Sequence, residues 1–187
     1  MGLVCRSRRR GPFAADQDAA GLSRRGHEPV LAWLRAERRA GDRIYTYYGA
    51  APATAYYAGR FGLRDEDYAV GGCHRGDGRR YFQELDSFRG SPRLWVLLTH
   101  SLPELQERED ILRYLDTIGT RRQEFMVSAR TLDNRGFPAE VYLYDLSDST
   151  RLGSASARSF PLLGPVSLEA GWRCRFGPQV MIPPRGM

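Results

Sequence analysis

Apolar side chains recur at helical spacing in four segments of the chain, and each segment carries start or stop residues typical of helices. The segments run from Pro29 to Gly41, from Pro52 to Gly62, from Asp77 to Gly90 and from Ser101 to Gly119. Asp77 is the predicted N-cap of the third helix. Ser101 and Glu104 form the S-x-x-E pattern of a capping box and predict the start of the fourth.

Five runs rich in β-branched and aromatic residues alternate with these helices and predict strands, at 43–48, 67–71, 93–98, 122–128 and 139–146. The third run is apolar on both faces, which is typical of a central parallel strand covered by helices. The loop between the last two runs contains Asn, Gly and Pro and suits an antiparallel hairpin. The order α-β-α-β-α-β-α-β-β predicts the α/β class, specifically a small three-layer Rossmann-like domain with a mostly parallel sheet and a C-terminal antiparallel hairpin.

Charge divides the chain into three parts. All 28 cationic residues are arginine, and with 22 acidic residues the formal net charge is +6. Residues 1–25 and 151–187 each carry a net charge of +4, whereas residues 26–150 carry −2. We therefore expect a basic disordered leader (1–25), an α/β domain (26–150) and a loosely ordered or disordered tail (151–187). Because the basic excess lies in the flanks, specific nucleic-acid binding is not expected.

Membrane, export and cysteine signals are weak. The longest strictly apolar run, Leu94 to Leu98, is far shorter than the ~20 residues of a membrane span, so no transmembrane segment is predicted in this chain. The arginine-rich start has no apolar region after it and predicts no export signal. Cys5, Cys73 and Cys174 are widely separated, which argues against a disulfide framework or a zinc ribbon and leaves the redox compartment open.

Polar and glycine residues follow three of the predicted strands. Since ligands of open α/β sheets bind outside the carboxyl ends of the strands, these residues are the candidate ligand contacts: Tyr48, Gly49, Cys73, His74, Asp77 and His100. A catalytic alternative uses Cys73 as the nucleophile, with His74 or His100 as its base, and Asp77 to orient the imidazole. Adjacent residues of an extended segment point to opposite sides, which disfavours a Cys73–His74 pair.

The sequence shows no pattern typical of nucleotide binding, sugar stacking or glycosidase chemistry. Gly71-Gly72 is not part of a G-x-G-x-x-G sequence, and the absence of lysine excludes a P-loop, so no nucleotide cofactor is expected. The tyrosines between residues 45 and 57 suit core packing better than a sugar-stacking surface. Asp65, Glu66 and Asp67 suit a solvated turn better than a glycosidase acid/base pair. No catalytic residue and no metal site are therefore assigned.

Several segments nevertheless resemble a known group of proteins when they are taken in order. The chain is similar over residues 26–150 to the soluble C-terminal domain of some bacterial multi-spanning glycosyltransferases, which resemble the dolichyl-phosphate-mannose protein mannosyltransferases (glycosyltransferase family 39). The segments that carry the resemblance are GDRIYTYYGAAPATAYYAGRFGL (41–63), GGCHRGD (71–77), RLWVLLTH (93–100), ILRYLDTIG (111–119) and VYLYDLSD (141–148).

This resemblance implies a setting and no catalytic residue. Such enzymes take sugar from a polyprenyl-phosphate donor with an acidic residue near the first membrane span, and their soluble domain lies on the periplasmic side of the inner membrane. The membrane part has no counterpart in these 187 residues. The expected function is a non-catalytic accessory or acceptor-recognition domain, or a fragment, whose partner is the membrane portion of such an enzyme. The alternative is a stand-alone α/β ligand-binding or hydrolytic protein that uses Cys73, His74 and His100.

Overall fold

The computed structural model describes residues 27–75, 77–128 and 137–164. In these ranges the order of helices and strands is the predicted one, α-β-α-β-α-β-α-β-β. The helices are α1 (His27–Glu37), α2 (Ala51–Tyr57), α3 (Arg79–Asp86) and α4 (Glu107–Ile118). The strands are β1 (Arg43–Thr46), β2 (Ala69–Val70), β3 (Leu94–Thr99), β4 (Thr120–Val127) and β5 (Ala139–Asp145). The α/β class is confirmed.

The five strands form one mixed sheet in the order β2-β1-β3-β5-β4. Strand β1 is parallel to both β2 and β3, whereas β5 is antiparallel to both β3 and β4. The predicted hairpin of β4 and β5 is present, but the prediction of a mostly parallel sheet is wrong, because half of the pairings are antiparallel. All but the last residue of β5 are buried, whereas β4 alternates between exposed and partly buried positions. The apolar strand therefore lies inside the sheet and the polar strand forms its edge.

Helices cover both faces of the sheet, so the domain has three layers. Leu94, Val96 and Leu98 of β3 pack against α3 and α4. Trp95 and Leu97, which alternate with them, pack on the face that α1 and α2 cover. A strand whose two faces are both buried has to be apolar throughout, and all six residues of β3 are buried.

Two predicted helix starts are wrong. The N-cap of α3 is Gly78, and the carboxylate of Asp77 instead pairs with the Arg80 guanidinium at 2.9 Å. Helix α4 begins only at Glu107, because a separate 3₁₀ turn, Pro103–Leu105, comes first and the next residue has a left-handed φ of 52°. The predicted capping box does not form at the start of α4.

The packed region continues beyond the predicted boundary at residue 150. The Arg89 guanidinium donates hydrogen bonds of 2.6 Å to the carbonyls of Leu152 and Ala155. The Phe160 ring packs edge-on against Phe82 and Tyr114, at centroid distances of 5.4 and 5.1 Å. Residues 151–164 thus belong to the packed domain, whereas the leader predicted at 1–25 and the remaining part of the predicted tail, 165–187, lie outside the described residues.

The four helices in the described ranges are between 7 and 12 residues long. None of the helices found there combines the length and the apolar character needed to cross a bilayer.

Candidate functional site

The connection from β1 to β2 and the connection from β2 to β3 run across the sheet in opposite directions. The carboxyl ends of β1 and β3 lie side by side at the point where this direction reverses. The crossover from β1 to β2 passes through α2 on one face, and the crossover from β2 to β3 passes through α3 on the other. Such a switch point opens a crevice at the carboxyl edge of a parallel sheet. Tyr47, Tyr48 and Gly49 follow β1 there, and residues 71–75 follow β2.

Glu84 of α3 holds the segment that follows β2. Its carboxylate accepts hydrogen bonds from the hydroxyl of Tyr45 at 2.8 Å, the backbone N–H of Gly72 at 2.9 Å and Nε2 of His74 at 2.6 Å. The His74 and Glu84 side chains are only 14% and 17% exposed. The carboxylate therefore orients the imidazole as an Nε2–H donor and turns Nδ1 to the opposite side of the ring.

The two consecutive glycines make this arrangement sterically possible. A Cβ atom at Gly71 would lie 2.8 Å from Cζ of Tyr45 and 2.9 Å from Oε2 of Glu84. A Cβ atom at Gly72 would lie 2.7 Å from Cε1 of His74. Gly71-Gly72 thus serves close packing of the backbone against a polar cluster, which is a use of glycine that requires no positive φ.

A second carboxylate, Glu107 at the start of α4, is buried beside the first. It is 5% exposed and accepts hydrogen bonds from the hydroxyl of Tyr47 and, at 3.1 Å, from that of Tyr81. The Tyr81 hydroxyl in turn accepts the backbone N–H of His74 at 3.0 Å. Burial raises the pKa of Glu107 above its ordinary value, although the two tyrosines, Arg75 and His74 act against that shift.

Burial also raises the pKa values of Tyr47 and Tyr81 far above the physiological range, with nearby phenol and carboxylate groups adding to the effect. Both phenols therefore keep their protons and act as hydrogen-bond donors to Glu107. We call this set the tyrosine–carboxylate cluster: Tyr45, Tyr47, Tyr81, Glu84 and Glu107.

Tyr48 and Arg75 lie over the tyrosine–carboxylate cluster and are both half-buried. The Tyr48 ring is stacked on Tyr81 with centroids 6.2 Å apart and an interplanar angle of 10°. Nε of Arg75 donates a hydrogen bond to the Tyr48 hydroxyl, and the guanidinium carbon lies 5.4 Å from the ring centroid. Burial and the charge of Glu107 raise the pKa of Tyr48, and the hydrogen bond from Arg75 opposes this rise.

The structure unites some of the predicted contact residues and separates others. Tyr48 and His74 both contact Tyr81. His100 is exposed, and its ring packs against Phe137 at 5.0 Å. Burial, with the charge of His100 as a second cause, lowers the pKa of His27, the first residue of α1, to about 4.

The remaining predicted contacts have structural roles. A Cβ atom at Gly49 would lie 2.6 Å from the carbonyl oxygen of Thr99, so this glycine allows close packing against the end of β3. Asp77 is exposed and pairs with Arg80. Cys73 is disulfide-bonded, and a bonded sulfur offers no free thiol.

The sequence analysis missed the two carboxylates that organise the site. Glu84 lies three residues after Tyr81 on an otherwise apolar helical stripe, and Glu107 lies four residues before Ile111 on another. A carboxylate on a stripe that faces the core is costly to bury unless it is hydrogen-bonded. That exception to the pattern is the signal from which both residues could have been found.

Across residues 27–75, 77–128 and 137–164, no group of three or more His, Cys, Asp or Glu side chains is arranged to hold a metal ion.

Comparison of the chain with models of protein families, with curated proteins and with solved structures gives no match in any of the three. Its function has to follow from the chemistry of its own residues.

Proposed function

We propose that this chain is a ligand-binding α/β domain that holds a small, oxygen-rich molecule at the carboxyl edge of β1 and β2, and that it contributes recognition rather than a chemical step. The observation that carries the proposal is the arrangement of the site, in which hydrogen-bonded carboxylates lie beneath half-buried polar side chains. Glu84 and Glu107 accept hydrogen bonds from donors of the protein itself, and they fix His74 and Tyr81 beneath the half-buried Tyr48 and Arg75.

The groups that face outward define the class of ligand. The imidazole of His74 gives its Nε2–H to Glu84 and offers Nδ1 to a ligand hydroxyl, whereas the guanidinium of Arg75 is a hydrogen-bond donor that suits sugar hydroxyl, carboxylate and phosphate oxygens. The two carboxylates would be the natural general bases, but their oxygens accept hydrogen bonds from tyrosines and from the backbone. These features support binding over hydrolysis.

We propose further that the domain works as an acceptor-recognition domain beside the membrane portion of a polyprenyl-phosphate-sugar-dependent glycosyltransferase, outside the cytoplasm. Three of the segments that carry the family resemblance, 41–63, 71–77 and 93–100, meet at the carboxyl edge of the sheet. Apolar membrane spans encoded directly upstream would support this setting, and unrelated upstream sequence would count against it.

The binding proposal is tested by thermal-shift and calorimetric titration with a panel of monosaccharides, oligosaccharides and sugar phosphates. The variants are His74→Ala and Arg75→Gln in the site, with Arg158→Gln as the matched control, because it removes the same charge as Arg75→Gln from an exposed residue outside the cluster. We expect at least one compound to stabilise the wild type and Arg158→Gln equally, and to bind each site variant about tenfold or more weakly.

Two results would contradict this proposal. Equal binding by the wild type and by His74→Ala and Arg75→Gln would place the ligand elsewhere. Release of product from sugar esters or sugar phosphates by the wild type, lost in His74→Ala, would favour the hydrolytic alternative.

A further inference from the structure

A separate pocket of about 350 Å³ lies at the opposite, amino edge of the sheet, where β1 and β2 begin. Its volume falls at the lower end of the range for small-molecule sites, roughly 300 to 1,000 Å³. Tyr68 and Phe88 contribute its aromatic walls, and arginines and carboxylates contribute the rest. The residues that line it share no member with the tyrosine–carboxylate cluster.

One carboxylate of the pocket, Asp42, is fully used by the protein. It accepts hydrogen bonds from Nε of Arg93 at 2.8 Å, Nε1 of Trp95 at 2.7 Å and the backbone N–H of Arg39 at 3.0 Å. Its side chain is only 2% exposed. Burial alone would raise the pKa of Asp42, but these hydrogen bonds outweigh burial and hold it below the ordinary value, so the carboxylate stays ionised.

The other two carboxylates are also paired with arginine. Asp67 accepts the backbone N–H of Arg64 at 3.0 Å and lies 3.5 Å from the Arg38 guanidinium. Glu66 lies 3.0 Å from the Arg64 guanidinium. The three carboxylates that line the pocket are therefore each paired with an arginine and do not repel an incoming anion as isolated charges would.

Two further arginines, Arg39 and Arg43, line the pocket. The Arg43 guanidinium lies 4.5 Å from the Phe88 ring centroid and is half-buried, and neither arginine forms an ion pair with a carboxylate of the described residues. Three arginines and three carboxylates line the pocket, and Arg39 and Arg43 are the two of these arginines whose charge is not already taken by a carboxylate of the described residues. A planar guanidinium held on an aromatic face is a preorganised donor for an oxyanion.

We propose that this pocket binds a small oxyanion, the phosphate or carboxylate group of a ligand, with Arg43 as its main contact and Arg39 as a second. The proposal stands on the amino-edge pocket alone and does not depend on the function proposed for the carboxyl edge.

Calorimetric titration of the full chain with sodium phosphate, and separately with sodium acetate, tests the proposal, with sodium chloride at the same ionic strength as the reference. The variants are Arg43→Gln and the exposed Arg39→Gln. Arg158→Gln is the matched control, because it removes the same charge from an exposed residue outside the pocket. We expect one or both oxyanions to bind, with about tenfold weaker affinity in Arg43→Gln, a smaller loss in Arg39→Gln and no change in Arg158→Gln.

Comparison of the two anions identifies the recognised group. Tighter binding of phosphate assigns the pocket to phosphate-bearing ligands, and tighter binding of acetate assigns it to carboxylates. The proposal is overturned if neither anion binds beyond the chloride reference, or if all three variants weaken binding equally. Since Arg39 is exposed, its variant keeps the test decisive even if Arg43→Gln does not fold.

Discussion

The tyrosine–carboxylate cluster leads to a sharp prediction about a single methyl group. In the Gly71→Ala variant, the new Cβ atom would lie 2.8 Å from Cζ of Tyr45 and 2.9 Å from Oε2 of Glu84. Real Cβ atoms do not approach other heavy atoms this closely. Tyr45 is 1% exposed, and its ring lies edge-on to Phe88 at 5.9 Å, so it cannot swing away into solvent.

The magnitude follows from the two ways in which the clash can be relieved. If the Tyr45 ring moves, its hydrogen bond to the Glu84 carboxylate is lost, which costs about 1.5 to 3 kcal/mol for a bond to a charged group. If the backbone after β2 moves instead, the overpacking costs about 1 to 3 kcal/mol. We therefore expect Gly71→Ala to lower the free energy of unfolding by about 2 to 3 kcal/mol.

Urea unfolding, followed by the fluorescence of the tryptophans, measures this difference. Trp95 is fully buried and Trp33 lies 5.5 Å from it, so both report the loss of the core. Gly59→Ala is the matched control, because a Cβ atom there meets nothing within 4 Å. We expect that control to be neutral or to stabilise the fold by up to about 1 kcal/mol, by restricting the unfolded chain.

The variant should also shift the NMR signals of the His74 ring, since the Glu84 carboxylate that orients the imidazole is displaced. A Gly71→Ala protein as stable as Gly59→Ala, with His74 unchanged, would refute the close packing on which the site depends.

Three further predictions concern other buried groups. Arg89→Gln removes hydrogen-bond donors that hold residues 149–164 against the domain, so proteolysis of this segment should accelerate and the free energy of unfolding should fall by about 1 to 3 kcal/mol. Unchanged cleavage of the segment would contradict this. Arg108→Gln removes the guanidinium that pairs with Glu140, which is 3% exposed, and should lower the free energy of unfolding by about 3 to 5 kcal/mol. Adding Glu140→Gln should restore much of that stability. An unrestored double variant would show that the two residues are not coupled. Because the pKa of His27 is lowered from 6.5 to about 4, its contribution to stability is present above pH 6.5 and lost as the pH falls toward 4, by at most about 3 kcal/mol. Urea unfolding at a series of pH values should show this fall in the wild type and a weaker one in His27→Gln, and an NMR titration midpoint of His27 near 6.5 would argue against it.

The order of the elements could be predicted from the sequence because its signals are local. Apolar spacing marks each helical face, glycine follows the ends of α1 and α4, and β-branched and aromatic runs mark the strands. The same reasoning failed at the starts of α3 and α4. Two adjacent residues competed for the N-cap of α3, and a 3₁₀ turn at Pro103 displaced the capping box from α4.

The order of the strands could not be predicted in the same way. Hairpin pairing of β4 with β5 follows from the Asn, Gly and Pro residues of the loop between them, but which of the two strands lies beside β3 depends on burial across the whole sheet. Six of the seven residues of β5 are buried, and this strand therefore occupies the interior position that a mostly parallel arrangement would have given to β4.

What the sequence alone determined is where the candidate site lies, since the switch-point rule places Tyr48 and His74 at one edge once the alternation of strands and helices is known. Only the tertiary structure decided what the site is made of. Glu84 is 39 residues from Tyr45, and Glu107 is 60 residues from Tyr47, so no local pattern joins these pairs. The helices bring the carboxylates to the tyrosines because a buried charge is stable only where donors from distant segments surround it.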